Sequence, residues 1–421
     1  MSTTDLFRFA SALAGGVSAP RRRRELSESF YLPPTPLPTG KPGDLIDSEP
    51  MDAYVVPGVR IRATATRVMY LSTRATGEPV AVTGTVLIPP GPVNRVRPLV
   101  GFAIGTHGIG DAAAPSRLLA RGLDWEAGLV AMVLARGWAV ALTDYEGLGT
   151  PGDHVYMVGQ ALGANVLDCM RAARQLHPSV LPAEGPAAII GYSEGGYASA
   201  WAAQMQPTYA PEIELVGVCA GAAPADLLDA PPALEKSFFS FFVAYGGIGY
   251  AAAYPELDLD SNLTDKARKG IEFLRRSTII EAAVRGPHYV SMTELTDPNV
   301  FEMPQWRARM AENSLGKVAP RAPVLLHHAR RDQIVRFKHS LDLRDDWLER
   351  GGDVRLYITK GGVDHISGAV AGTPIALEWL GRRFDGPARA GAPHGVRHAA
   401  TAPVRQARAA ASRVTHLRRV A

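Results

Sequence analysis

Cysteine is nearly absent from this sequence, with two in 421 residues, Cys169 and Cys219. Two thiols cannot build a disulfide framework, so stability must come from a buried core, where both are expected as small hydrophobes. No stretch approaches the roughly 18 uninterrupted apolar residues of a membrane-spanning helix. Acidic residues are missing from the tail after Gly386, which carries Arg389, Arg397, Arg405, Arg408, Arg413, Arg418 and Arg419. With Arg21 to Arg24, these eleven arginines account for the basic balance: without them the net charge goes from +4 to −7. The body is therefore mildly acidic, and nucleic-acid binding has little support. No basic stretch precedes the mildly apolar segment Phe7 to Ala19, so it does not read as a secretory signal. A cytoplasmic or cell-associated location is favoured on that ground.

What is present is an ordinary globular composition, 46% hydrophobic and 20% charged, long enough for one large α/β domain with an insertion. Residues 1–50, rich in Pro, Ser and Arg, read as a flexible arm. Between Arg60 and Pro89, β-type residues alternate on either side of the turn Thr76-Gly-Glu-Pro79, which predicts an antiparallel hairpin. A continuous apolar run follows at Pro98–Ile104, the mark of a strand buried on both faces; Trp138–Leu142 and Ala187–Ile190 read as further buried strands, and Ile213–Cys219, Pro323–His328 and Val354–Ile358 as strands. Helical spacing lies between them, at Trp125–Leu134, Tyr156–Leu176, Lys338–Leu348 and Ile366–Phe384. The expected fold class is α/β, a mostly parallel sheet with helices on both faces. Its core divides into 51–224 and 319–386. The intervening 225–318 has helical spacing and aromatic clusters, and an insertion of that size reads as a helical cap over the strand ends. The tail 387–421 cannot bury enough apolar surface to fold.

One stretch carries chemistry. Ala187-Ala-Ile-Ile-Gly-Tyr-Ser-Glu-Gly-Gly-Tyr197 is a buried strand, a G-x-S-x-G turn and the start of a helix rich in alanine. That is the pattern of a nucleophile elbow, in which a sharp turn lifts the serine above the sheet edge. Glycine is needed at 191 and 195 because side chains there would collide, and the following helix presents its positive end to the site. The five-residue motif is short enough to arise by chance, so the test is whether the chain supplies the rest.

A serine hydroxyl needs a base to take its proton and an acid to orient that base. Asp332 lies just past one late strand, in His328-Ala-Arg-Arg-Asp-Gln-Ile-Val335, and His365 just past the last, in Gly361-Gly-Val-Asp-His365. Each has a plain alternative reading, Asp332 as a helix cap and His365 as a surface or satisfied core residue. Their order after Ser193, each at a strand's C-terminal end, favours a triad. Asp364 is the competing acid, but neighbours in a chain rarely orient one another's rings. The Glu194 N–H and the glycine-rich loop Gly105–Ser116 are candidates for an oxyanion hole, the loop's alternative being an ordinary turn.

The chain resembles the secretory lipases of the yeast lipase A type and their bacterial relatives, over most of residues 55 to 385. The likeness rests on the elbow, Ala114-Pro-Ser116, Asp144-Tyr-Glu-Gly-Leu-Gly-Thr-Pro151, Tyr209-Ala-Pro-Glu-Ile-Glu-Leu-Val-Gly217, Asp332-Gln-Ile-Val335 and Asp364-His365. It implies an α/β-hydrolase fold with a helical cap forming an acyl tunnel, Ser193 as nucleophile, Asp332 as acid and His365 as base. It also implies Asp111 in the oxyanion hole, which would require a shielded, protonated carboxyl or use of its backbone N–H, and it implies secretion. Three departures stand out: Ala113 where relatives often carry a disulfide cysteine, Glu194 in place of a small residue, and Arg330, Arg331 and Arg336 crowding the acid loop.

The expected function is a serine ester hydrolase, lipase or carboxylesterase, that cleaves acyl esters such as triacylglycerols in lipid breakdown without metal or cofactor. The alternatives are an acyltransferase with the same triad and a non-catalytic binding protein. His107, Tyr192, Phe238, Phe241, Phe242 and Tyr245 are the candidate substrate-binding residues, although such aromatic clusters also form cores. Expected partners are a small-molecule or lipid ester and no nucleic acid. The basic tail reads as a solvated end, with contact to anionic lipid surfaces as its alternative.

Overall fold

The computed structural model describes residues 27–92 and 95–386. The central feature is a nine-stranded sheet in the order β1-β4-β5-β7-β6-β8-β9-β10-β11. Its strands are β1 (Leu45–Met51), β4 (Thr64–Thr73), β5 (Pro79–Ile88), β6 (Leu99–Ala103), β7 (Ala139–Thr143), β8 (Ala187–Tyr192), β9 (Leu215–Gly221), β10 (Val324–His328) and β11 (Val354–Ile358). A small ribbon pairs β2 (Tyr54–Val56) with β3 (Val59–Arg60). The predicted hairpin is β4–β5, in register from Thr64↔Ile88 to Thr73↔Pro79. β1, β4 and β5 form the antiparallel end, and β7, β6, β8, β9, β10 and β11 run parallel to one another.

The central parallel strands are mostly apolar because both faces are covered. β6, β7, β8 and β10 are buried throughout. The helices Gly159–Leu176 and Glu194–Tyr209 lie against the strands and each other. Ala198, Ala200, Ala202 and Ala203 are fully buried at this contact, where small side chains let the elements approach closely. Cys169 and Cys219 are free thiols in the core.

The expected flexible arm is overtaken by structure from Glu28 onward. Phe30 and Tyr31 are buried, with the Arg67 guanidinium 4.2 Å and 4.8 Å from their ring centroids, and the Arg117 guanidinium 3.7 Å from that of Tyr31. Tyr31 Oη and Ser116 Oγ are 2.8 Å apart, and β1 adds the edge strand of the sheet. Proline and serine marked this segment as coil, but tertiary contacts and strand pairing hold it. The expected tail from 387 onward lies outside the described residues.

Between β9 and β10 the chain is helical, with helices at Phe241–Ala253, Asp265–Leu274, Ile279–Arg285 and Pro304–Asn313 and shorter turns between them. Tyr245, Ile248, Leu274 and Trp306 are fully buried there, so the insertion has a core continuous with that of the sheet. No helix among the described residues is long and apolar enough to cross a membrane.

Candidate active site

The turn after β8 has the geometry its glycines predict. Ser193 sits at φ 59° and ψ −122°, a conformation that non-glycine residues rarely hold. Its N–H donates to the Gly221 carbonyl at 2.9 Å, which fixes the strained peptide between β8 and β9. A Cβ on Gly191 would lie 2.3 Å from the Gly195 carbonyl oxygen, and one on Gly195 2.0 Å from that of Ala103. Neither contact is tolerable, so both positions admit only glycine. Ser193 is half-buried and lines a mostly apolar cavity.

Asp332 and His365 meet beside the elbow. His365 Nδ1 lies 2.6 Å from Asp332 Oδ2, and the two N–H groups of Ile334 and Val335 donate to Oδ1 at 2.9 Å. Burial would raise the Asp332 pKa, but hydrogen bonds from His328 and His365 and those backbone donors outweigh it and hold the carboxyl well below the usual range. His365 is anchored on both sides: its N–H donates to Gln333 Oε1 at 3.0 Å, and its carbonyl accepts from Tyr192 Oη at 2.8 Å. Tyr192, next to the serine, also stands 5.1 Å ring to ring from His365. Asp364 accepts the Ser367 N–H at 2.8 Å, so the competing acid is a helix cap.

His328 carries no motif, and Gln333, although within Asp332-Gln-Ile-Val335, has no role that the sequence announces. His328 Nε2 is 3.2 Å from Asp332 Oδ2 and 3.0 Å from the Val335 carbonyl, and Nδ1 is 2.8 Å from Ser340 Oγ. The only signal was position, since His328 ends β10 four residues before the acid.

Glu194 turns inward. Its Oε1 lies 2.8 Å from His154 Nε2, and His154 Nδ1 lies 2.8 Å from the Glu146 carbonyl. Glu194 is also the first residue of its helix, and the first N–H groups of a helix lack intrahelical acceptors. That N–H therefore remains available beside Ser193 while the carboxyl is bound elsewhere. Glu146 pairs with Arg74 and takes no place in the cavity wall.

The loop after β6 departs from expectation. Asp111 has an exposed surface and lines a separate polar cleft with Asp153, Glu272, Arg275 and Arg276, not the cavity that Ser193 lines, although partial burial still raises its carboxyl pKa. The cause is the preceding turn: the N–H groups of Ile109 and Gly110 both donate to the Ser277 carbonyl, which draws the loop toward the insertion before Asp111 is reached. The part of the loop that approaches the elbow is earlier. A Cβ at Gly105 would lie 3.2 Å from the Tyr192 carbonyl oxygen. Next in sequence, Thr106 Oγ1 is 3.1 Å from the hydroxyl of Tyr156, a cavity-wall residue.

Behind that loop sits a buried polar cluster. Gly105 N–H donates to Glu126 Oε2 at 2.6 Å, Glu126 N–H donates to Asp124 Oδ1 at 2.8 Å, and His107 Nε2 is 3.2 Å from Asp124 Oδ1. Burial alone would lower the pKa of His107, but the Asp124 carboxylate, with Glu126 and the Gly105 carbonyl, raises it to about 9. Burial pushes Glu126 up to about 8 against the opposing charge of His107. His107 stacks on Trp125 and does not reach the cavity.

Of the aromatic candidates, Phe242 lines the cavity, whereas Phe241 and Tyr245 are buried in the core of the insertion and Phe238 stacks on His288 at the surface. Tyr192 packs between His327 and His365. The remaining wall is mostly apolar, including Met157, Leu234, Val243, Tyr250 and Phe301, drawn from both sheet loops and insertion. Among the described residues, no group of three or more His, Cys, Asp or Glu is arranged to hold a metal ion.

A family model described as secretory lipase matches residues 113–391. The chain belongs to the secretory lipase family, and by class it is an ester hydrolase. Relatives in the family include a secreted triacylglycerol lipase of Malassezia globosa, 26% identical over 87% of this chain and 81% of that protein. A protein of Mycobacterium tuberculosis named a probable inactive lipase is 27% identical over 85% of this chain and 82% of its own. The structure of Candida antarctica lipase A in its closed state superposes with a TM-score of 0.76 at 22% identity, covering 86% of this chain and 88% of that one. A cell-wall-degrading esterase of Xanthomonas oryzae superposes at 0.69 and 21% identity, covering 82% of this chain and 99% of that one. The fold is that of the α/β-hydrolases.

Proposed function

We propose that this secretory lipase family member cleaves acyl esters, including triacylglycerols, through an acyl-enzyme formed on Ser193. The observation that carries the reading is the Asp332–His365 hydrogen bond, held against Tyr192 beside a strained serine that opens onto an apolar cavity. Ser193 Oγ attacks the ester carbonyl as His365 Nε2 takes its proton, and Asp332 holds the ring by accepting from Nδ1–H. The tetrahedral oxyanion is met by the Glu194 N–H and by a backbone N–H of the Thr106–His107 stretch, the role once expected of Asp111. His365 then returns the proton to the departing alkoxide, and water activated by the same ring releases the acid. The insertion 225–318 acts as the cap, its apolar wall receiving the acyl chain.

A second reading, a non-catalytic protein on the same fold, is favoured by the relative named a probable inactive lipase. One experiment separates the two. The wild type is expected to hydrolyse p-nitrophenyl butyrate and to be labelled by a fluorophosphonate probe, and Ser193→Ala is expected to do neither. Absence of labelling in the wild type would establish the second reading, and a labelled product with an added alcohol as acceptor would indicate acyl transfer.

A further inference from the structure

We propose that Glu126, with Asp124 and His107, is a positioning device that holds the oxyanion loop Gly105–His107 against the nucleophile elbow. The inference rests on the reading of Ser193 as nucleophile. The three side chains are buried behind the loop and none lines the cavity, so their contacts are with the loop itself.

The clamp works at three points. Glu126 Oε2 accepts the Gly105 N–H at 2.6 Å, which fixes the peptide that enters the loop. His107 Nδ1 is 2.8 Å from the Gly105 carbonyl, closing the loop on itself, and donates there when Nε2 faces Asp124 as the second N–H. Trp125, between the two acids, stacks on the His107 ring at 5.3 Å and 20°. The front of the loop is bound as well, because the His107 carbonyl accepts from Ile279 N–H at 2.7 Å. Gly105 is consumed by Glu126, which leaves Thr106 and His107 as the N–H groups the loop can present.

Taking two carboxyls and an imidazole out of water is costly and is not a cheap way to stabilise a loop. A hydrophobic filling would pack this site but could not fix the direction of a peptide N–H. Transition-state stabilisation needs such direction, because donors must stand about 2.7–3.1 Å from where the oxyanion forms.

The test uses the full-length protein with p-nitrophenyl butyrate, and hydrogen exchange of peptides spanning 104–112. Losing an oxyanion donor outright costs about 10²–10³ in kcat, so a displaced loop in Glu126→Ala is expected to lower kcat by at least about tenfold with KM within about twofold. Glu126→Gln keeps an acceptor for Gly105 and is expected to retain most of kcat. Glu126→Asp, shorter by one methylene, keeps the carboxyl and serves if the alanine variant does not fold; it is expected to lose kcat like alanine. Exchange of the 104–112 peptides is expected to accelerate in the alanine and aspartate variants and not in the glutamine one. An unchanged kcat in Glu126→Asp, a loss confined to KM, or unaltered loop exchange would each overturn the proposal. Wild-type turnover, and its loss in Ser193→Ala, report separately on the catalytic reading.

Discussion

Glu194 Oε1 lies 2.8 Å from His154 Nε2, and both side chains are buried immediately behind Ser193. The pair explains how a long acidic residue can follow the proposed nucleophile without obstructing it: the carboxyl is drawn toward His154, whose imidazole Tyr145 stacks on and Tyr156 meets edge-on. Only the backbone of Glu194 then faces the reacting centre. The motif therefore departs from a small residue at this position in side chain and not in the group presented to substrate.

Removing one partner of such a pair is more damaging than never having had it, because the other is left buried without compensation. Glu194→Ala is expected to lower unfolding free energy by about 3–5 kcal/mol, whereas Glu194→Gln, which can still bond His154, is expected to cost markedly less. Urea denaturation of the two variants checks the order. Equal losses would mean that the pair contributes through volume alone.

The Asp332 carboxyl gives a pH-dependent signature with a definite sign. Its folded pKa is depressed, so its contribution to stability is fully present above the unfolded value of about 3.9 and is lost as pH falls below it. Asp332→Asn lacks that contribution at every pH. The stability gap between wild type and Asp332→Asn is therefore expected to be constant from pH 7 to 5 and to shrink toward pH 3. The same variant is expected to lower kcat by about 10⁴, the usual consequence of losing the acid that fixes the imidazole tautomer. Denaturant titrations at the three pH values and steady-state kinetics at pH 7 test both parts.

The strain at Ser193 predicts a gain of stability from a loss of function. A serine at φ 59° and ψ −122° carries about 1–3 kcal/mol of backbone strain, which glycine would relieve at a smaller entropic cost. Ser193→Gly is expected to be inactive and about 1 kcal/mol more stable than wild type. A stability at or below that of wild type would show that the turn is not strained.

How much of this was legible beforehand follows from what each feature depends on. β6, β7 and β8 could be read because burial on both faces demands nearly continuous apolar residues, a purely local mark. Ser193, Asp332 and His365 could be proposed from chain order and strand ends, and Asp332 and His365 do meet. His328, Gln333 and His154 could not, since their roles depend on contacts with Asp332, His365 and Glu194 that neither period nor spacing encodes. Asp111 was misplaced for the same reason: nothing local announces that Ser277 binds the two N–H groups ahead of it. Among the phenylalanines at 238–242, apolarity was evident, but which ring faces the cavity depends on how the helix Phe241–Ala253 packs.

That helix offers the sharpest handle on chain length. Gly246 lines the cavity, and a Cβ there would meet nothing within 4 Å, so a larger side chain can extend into the empty space with no clash at its root. Its helical backbone also accepts any L-residue, and replacing an interior glycine adds helix propensity. Gly246→Phe is thus expected to fold at least as stably as wild type while filling volume that a long acyl chain would use. Each methylene excluded from an apolar pocket is worth about 1–3 kcal/mol of discrimination, so a few lost positions suffice for a large effect. The ratio of kcat/KM for p-nitrophenyl palmitate to that for the butyrate ester is expected to fall by at least about tenfold, with the butyrate value little changed. A uniform fall across both esters would place the acyl chain elsewhere and remove the cavity from the substrate path.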